Sequence, residues 1–502
     1  TTTTPLDTST TPLDPTTGPT TTSSTTTDLT SATTTTTDTT TTTTTGSTTD
    51  TTDTTSDPST TTGEFMGCLE PTDSDTAADP SAWARQAVTS YGQLDVRHME
   101  VDHTGAVLLS NIFHGLLDLG GAQLDGTDGD ASHHYLAKYD ALGQHAWSLH
   151  FGGSSFYEYE LALDCAGNLF LAGSFDGSIT IEGVTLTATL GFEQEADIVY
   201  NTTDILLAKF TPAGQLVWAR RFGDASYQRS YDLVATDDGG VVIAGALKGT
   251  LDVDGTLIVA NTSYDGLLLA LDATGAYLWH RSFAAPADVD MQAIDRSAGG
   301  QLSVAGGAAA GVDFGGGPLP ADNQNYIYLA QFEANGDHRW SLRAPADHSL
   351  YSLAADDDAA VYIAGYTTLK TAVLTRFDPS GALAWTRTGV STNYAVAYDV
   401  STAGTTVALI GSFRASLDLG DGTVFSSNTG FNDLFLARYA ADGALLSASQ
   451  VVSGKQAQPR RVRIGPDGET LAAGFFKGTL DLPTGQLTAV GSEDMFLYRA
   501  AP

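Results

Sequence analysis

The sequence predicts an all-β fold, a seven-bladed β-propeller preceded by an extended threonine-rich arm, and three observations carry that reading. Every tryptophan, Trp83, Trp147, Trp218, Trp279, Trp340 and Trp385, falls at one position of a unit that repeats about every 60 residues, the signature of a repeat architecture. Within each unit the apolar residues alternate as in strands, with no helical period. The last unit, ending DMFLYRAAP, lacks a Trp strand, while residues 82–87, AWARQA, are a Trp strand with no unit in front of it. Joined, the two ends complete one blade, so the first body strand should pair beside the last and close the ring.

Each unit opens with an alternating strand, then a turn rich in Asp and Gly, then an apolar strand ending in Ala-Gly or its equivalent. LALDCAGNLFLAG (Leu161 to Gly173), LVATDDGGVVIAG (Leu233 to Gly245) and LAADDDAAVYIAG (Leu353 to Gly365) are examples, and seven such units can be counted. Asp side chains bond the turn backbone and Gly supplies positive φ. A hairpin with an Asp follows (Asp118, Asp252, Asp418, Asp481), and the fifth unit has lost most of it. Next comes a strand bearing Lys138, Lys209, Arg376, Arg438 or Arg499, a turn with Gly143, Gly214, Gly275, Gly336, Gly381 or Gly443, and the Trp strand; Ser447 stands in the Trp position once. Four strands per unit make propeller blades. The tryptophans are expected to pack between adjacent blades, and the Lys/Arg series to balance the hairpin aspartates or guard strand surfaces.

These repeats, over residues 81–502, resemble the SBBP-type β-propeller repeats of bacterial surface and secreted proteins. The matching residues are the D-x-x-G turns of Asp102 to Gly105 and Asp164 to Gly167, the Ala-Gly glycines Gly173, Gly245, Gly306, Gly365 and Gly474, and the Asp-x-Phe/Leu-Leu-Ala-Lys/Arg strand. The resemblance implies architecture and brings no catalytic motif. In domain order and composition the chain is also similar to glycosylated extracellular filaments of linked propellers, which implies a tail that connects successive copies.

Residues 1–62 are roughly three-fifths Thr, and their only apolar residues are Leu6, Leu13, Leu29 and Ala32. Such a segment cannot bury enough to offset its ordering entropy. Its composition is that of an O-glycosylated stalk, with Thr33, Thr34, Thr35, Thr36 and Thr37 and Thr41, Thr42, Thr43, Thr44 and Thr45 as the densest acceptors. Thr4-Pro5-Leu6-Asp7 and Thr11-Pro12-Leu13-Asp14 offer two apolar pegs, so Leu6 and Leu13 are the expected anchors of the arm. Residues 63–80, with Phe65, Met66, Cys68 and Leu69, read as a linker that docks.

A net charge of -36, with no Lys or Arg before Arg85, excludes the basic stripe that nucleic-acid binding needs. No apolar run approaches the roughly 20 residues of a membrane span, so no integral membrane contact is expected. The opening inside a Thr tract suggests a mature chain whose export signal has been removed, which places the protein outside the cell or on its surface. Cys68 and Cys165 form one disulfide or remain two thiols; spacing leaves both open.

Asp125, Asp128 and Asp130, separated by Gly and Thr, are the best candidates for a hard cation, and Ca²⁺ is the ion such oxygens would take; no cofactor is required. Asp252 with Asp254 and Asp418 with Asp421 are weaker versions. Seven of the ten histidines fall between His98 and His150, but His133 and His134 are adjacent and point to opposite faces of a strand, which argues against a shared metal. Asn201 and Asn261 head N-glycosylation sequons placed in loops. No nucleophile elbow, phosphate loop or zinc pattern occurs, so no enzyme is expected. Were there one, Glu158, Glu160 and Asp290 near the propeller mouth would carry it.

The expected function is that of a structural subunit of an extracellular filament, a head-to-tail homopolymer joined through the glycan-bearing Thr arm. The alternatives are a stalked surface propeller that binds carbohydrate or protein, and a secreted glycan-active enzyme with its site in the mouth.

Overall fold

The structure, a computed structural model, describes residues 82–90, 94–127, 132–153, 156–195, 198–308, 311–320, 326–420, 422–427 and 430–502, all within the unit Glu64–Pro502. The arm of residues 1–62 and the linker of 63–80 lie outside the described residues.

Seven four-stranded antiparallel sheets follow one another, each running from an inner strand through a second and a third to an outer strand. Blade 1 is His98–Val101, Val107–Phe113, Ser132–Tyr139 and His145–Gly153; blade 2 is Phe156–Leu163, Leu169–Phe175, Asp204–Phe210 and Leu216–Phe222. Blade 3 is Gln228–Ala235, Val241–Leu247, Asp265–Leu271 and Tyr277–Phe283, and blade 4 is Val289–Arg296, Leu302–Ala308, Tyr326–Phe332 and His338–Arg343. Blade 5 is His348–Ala355, Val361–Thr367, Ala372–Phe377 and Leu383–Gly389, with only a tight turn where blades 1, 2, 3, 6 and 7 have a hairpin. Blade 6 is Tyr394–Ala403, Thr406–Arg414, Asp433–Ala440 and Leu445–Ser453. Blade 7 takes Gln456–Ile464, Thr470–Lys477 and Asp494–Ala500 from the end of the body and its outer strand, Trp83–Thr89, from the beginning. That outer strand pairs with the third in the register Trp83↔Arg499 to Ala87↔Met495, the closure expected from the two chain ends.

Two glycine positions explain why the motif repeats. The inner strands of blades 2 to 7 each carry a bulge opposite the Ala-Gly pair. A Cβ on Gly245 or Gly365 would overlap the carbonyl oxygen of Arg229 or Ser349 there. In blades 1 to 6 the turn before the outer strand has Gly at positive φ, as at Gly143 (71°) and Gly214 (79°). A side chain there would also strike the tryptophan of the preceding blade, 2.8 Å from Trp83 at Gly143.

The hairpins do more than connect. Gly115–Asp118 of blade 1 pairs with the end of the outer strand of blade 7, Ser178–Ile181 of blade 2 with that of blade 1, and Thr479–Leu482 of blade 7 with that of blade 6. Each hairpin thus caps the edge of its neighbour, which protects strand ends that would otherwise stand open.

Candidate functional site

The seven inner strands surround a cavity of about 430 Å³ lined by residues from every blade, among them Glu100, Glu160, Asp232, Asp295, Asp399 and Arg463. An innermost strand has a free edge, and its N–H groups need acceptors. Carboxylates of the preceding blades supply them. Asp232 accepts from the Ile294 N–H at 2.8 Å, Asp295 from the Ala355 N–H at 2.8 Å, and Asp399 from the Val462 N–H at 2.7 Å. Asp399, only 3% exposed, also accepts from the Ser352 hydroxyl at 2.6 Å and from Arg463 at 2.9 Å, so it binds blade 6 to both neighbours.

Burial sets the charge states in this ring. Burial, reinforced by Glu160, lifts the Asp232 carboxyl well above the usual range. Burial lifts Asp295 to about 6 against the pull of the Ala355 N–H. Glu160 goes the other way: burial would raise it, but His98 and Arg461 together outweigh that and hold it low. Burial lowers the His98 pKa, against the pull of Glu160, and its Nδ1 is hydrogen-bonded to the Glu160 carboxylate. Arg461 meets the other Glu160 oxygen at 2.8 Å, and Arg463 joins Glu100 at 2.8 Å.

At one mouth of the channel the bulged residues are Tyr231, Tyr351 and Tyr398 in blades 3, 5 and 6. Tyr351 is 51% exposed, with its ring 5.3 Å from Tyr398 and 5.7 Å from Tyr366. This cluster was not legible from the residues alone, because a bulge moves a residue off the alternation that assigns faces.

The seams between blades are built by the tryptophans, as expected, and by a partner that sequence reasoning missed. Trp83, Trp147, Trp218, Trp340 and Trp385 each donate their indole N–H to a carbonyl in the next blade's turn, at Ala141, Pro212, Ala273, Pro379 and Ala441. Two residues further on, Arg85, Arg281 and Arg387 donate to the carbonyls of Gly143, Gly336 and Gly443 in the same turns. Trp-x-Arg, written in the sequence as WAR, WHR and WTR, was the available signal.

The Lys/Arg series corrects the expectation that it would answer the hairpin aspartates. Lys138 pairs with Asp102 at 2.8 Å, Lys209 with Asp164 at 3.2 Å, Arg376 with Asp356 at 3.6 Å and Arg499 with Glu469 at 3.3 Å. These acids lie in or beside the turn joining the first two strands of the same blade, because the third strand's side chain points back across the second strand to that turn.

Asp125 is exposed and its carboxylate caps its own turn, accepting from the Thr127 N–H at 3.0 Å and hydroxyl at 2.6 Å. Asp128 and Asp130 lie outside the described residues. Asp254 is held by Arg220 of blade 2 at 2.7 Å, and the Asp252 carboxylate accepts from the Gly255 N–H. Among the described residues no group of three or more His, Cys, Asp or Glu is placed to hold a metal ion. His133 packs on Phe113 and His150, while His134 packs on Phe151, Phe156 and Tyr159 on the other face. Burial lowers His134 to about 3.

Asn261 is exposed in a loop, but Asn201 ends the strand Ile198–Asn201, half of an extra hairpin in blade 2 that the repeat pattern did not announce. Cys165 is disulfide-bonded, with its Sγ 3.7 Å from an Asp237 oxygen. Cys68, Leu6, Leu13 and the Thr tract from Thr33 to Thr45 lie outside the described residues, as does Asp421. Of the three mouth acids, Glu160 lies in the channel, Asp290 sits under Tyr231 at 3.3 Å, and the Glu158 side chain is outside the described set.

The chain is a β-propeller repeat protein. No family model matches it, and no curated protein matches it. Solved structures similar to it include the Neurospora crassa Pan2 WD40 domain (9% identity, TM-score 0.40, covering 84% of this chain and 97% of that one). Virginiamycin B lyase from Staphylococcus aureus is another (10%, 0.40, 84% and 100%), as is YCF48 bound to D1 peptide (11%, 0.39, 85% and 96%). These are likenesses of fold alone.

Proposed function

We propose that the protein is a non-catalytic structural subunit of an extracellular filament, in which the Thr-rich arm of one copy engages the propeller of the next. One observation carries this reading: seven complete blades are built from residues 82–502 alone, so no strand of the ring waits for the arm. A polar segment of about 60 residues, extended, reaches on the order of 200 Å, and it gains backbone partners only from another surface. The outer strands Tyr277–Phe283 and His338–Arg343 each have one edge unpaired among the described residues, the kind of edge to which an extended segment adds. One arm and one receptor per copy make a heterologous contact that propagates. The proposal includes O-glycans on Thr33 to Thr37 and Thr41 to Thr45, which mass spectrometry of the native arm would find. Turnover is not part of it, since Glu160, Asp232, Asp295 and Asp399 are all engaged in bonds between blades.

The test is deletion of residues 1–62, followed by light scattering and electron microscopy. The full chain should form strings of rings and the truncated chain should be a folded monomer. Polymers without the arm, or a full chain that stays monomeric at all concentrations, would sink the proposal.

The tyrosine cluster at the mouth favours a second reading, a propeller that binds a sugar or peptide there. Exposed aromatic faces next to convergent polar groups are what such ligands stack on. Replacing Tyr351 by Ala would abolish capture on a glycan or peptide array if this reading holds.

A further inference from the structure

A second cavity, of about 480 Å³, lies in the seam between blades 3 and 4, lined among others by Thr236, Ala270, Leu278, Trp279, Leu302 and Ala334. Its origin is visible in the repeat. The third-strand residue paired with the seam tryptophan, or with Ser447 in its place, is Lys138, Lys209, Gln331, Arg376, Arg438 or Arg499 in six blades and Ala270 in blade 3. In blade 2 the long side chain crosses the seam, with Lys209 donating to the Gly239 carbonyl of blade 3 at 2.8 Å while pairing with Asp164. Gln331 crosses to the Ala359 carbonyl of blade 5 in the same way. In blade 3 both members of the Lys–Asp pair are replaced by small residues, Ala270 and Thr236, and the space they vacate is the cavity. Trp279 marks the same place a second way: it is the one tryptophan whose indole N–H has no acceptor among the described residues, although Ala334 stands where its sister residues bond.

We propose that this cavity is the socket for the Thr-Pro-Leu-Asp segments of a second copy's arm, with Leu6 or Leu13 seated against Leu278 and Leu302 and the adjoining Pro on Trp279. The inference rests on the filament reading and names its receptor. The occupant follows from matching. The arm's few apolar residues include two Pro-Leu pairs, Pro5-Leu6 and Pro12-Leu13, and a Pro-containing extended segment is preformed for aromatic-walled grooves. The channel is lined by many charged side chains, whereas this cavity has a mainly apolar wall beside the Asp237–Arg296 ion pair, and the Trp279 N–H, unused among the described residues, is a donor that a peptide carbonyl satisfies. Its volume lies within the range of ligand pockets. The edge of Tyr277–Phe283 is unpaired along the same wall, so the arm's backbone also finds partners there.

The test uses the full chain. The double variant Thr236→Asp/Ala270→Lys refills the socket with the pair that blade 2 already accommodates, so the ring should fold with its thermal midpoint retained. A peptide of residues 1–15 is titrated by calorimetry into full-length Leu6→Asp/Leu13→Asp, whose own pegs no longer compete, with and without the refilled socket. Saturable binding at one site per chain is expected, weakened at least tenfold by the refilling. Equal binding in both, or none in either, overturns the socket. Assembly separates the two ideas. If the refilled full chain still polymerises while the arm-deleted chain does not, the socket is wrong and the filament stands; if the peptide needs the socket yet the full chain never polymerises, the socket stands for the peptide and the second-copy assignment falls with the filament.

Discussion

Trp83, the first strand residue of the ring, and Arg499, near its end, donate to the same oxygen, the carbonyl of Ala141 in blade 1, at 3.0 and 3.1 Å. They face each other across the closing strand pair. The first and last strands of the ring are therefore joined not only to one another but to the next blade, so closure and the blade 7–blade 1 seam form together. Arg499 is 2% exposed and faces the equally buried Glu469 at 3.3 Å.

Replacing Trp83 by Ala should therefore cost about 3–5 kcal/mol, the range for large aromatics lost from a core. Arg499→Leu should cost about as much, because it strands the Glu469 carboxylate without its partner. Urea midpoints of the two variants and of wild type check this. A change below about 1 kcal/mol for Trp83→Ala would mean that the ring is held without its closing strand.

Asp399 predicts a similar loss at the centre. Its carboxylate serves Ser352, Val462 and Arg463 at once, and Arg463 is buried enough that burial would lower its pKa, a tendency that Glu100 and Asp399 more than reverse. Asp399→Ala should destabilise by about 3–5 kcal/mol, as for breaking a buried pair. Asp399→Asn should lose less, since an amide oxygen still accepts from the Val462 N–H. Equal losses for the two would show that the backbone bond contributes nothing.

The ring was legible because tryptophan, Asp-Gly turns and Ala-Gly each answer a steric demand that every blade makes, and the split blade was legible because Trp83 stands alone at one end of the body. The seam chemistry was half legible: Trp-x-Arg is a local pattern, but that Arg281 reaches the Gly336 carbonyl depends on the next blade. The channel was not legible. Glu160, Asp232 and Asp399 fall opposite the same second-strand position in three blades, yet a bulge precedes each and hides the correspondence from a simple alternation of faces. Nor could the sequence show that Ala270 leaves a cavity, since the vacancy exists only by comparison with Lys209 across a seam.

The missing bond at Trp279 makes a paired prediction. Trp218 donates to the Ala273 carbonyl at 3.2 Å, whereas Trp279 donates to nothing among the described residues. Both pair with the third strand in the same register. Substitution by Phe removes indole area from both but a hydrogen bond from only one, which is worth about 1 kcal/mol. Trp218→Phe should thus be more destabilising than Trp279→Phe by about that much. The opposite order would mean that Trp279 has a partner in the native chain.

The channel also predicts a pH dependence through Asp295. Burial lifts its carboxyl to about 6 in the folded ring, against the Ala355 and Arg296 N–H groups and Arg463 that favour ionisation, with Glu100 adding to the rise. An unfolded chain binds the same proton near 4. Between those values the folded state holds more protons, so this group's contribution is greatest below about pH 4 and declines as pH rises to about 6. The loss across the window is roughly 3 kcal/mol, from about two pKa units. Asp295→Asn keeps an acceptor for the Ala355 N–H but cannot ionise. The stability of the variant relative to wild type should therefore climb between pH 4 and pH 6 and stay level above, with the other titrating groups cancelling in the difference. Urea midpoints of both proteins across that range measure it; a flat difference would place Asp295 in ordinary solvent-like surroundings and open the channel to water at that level.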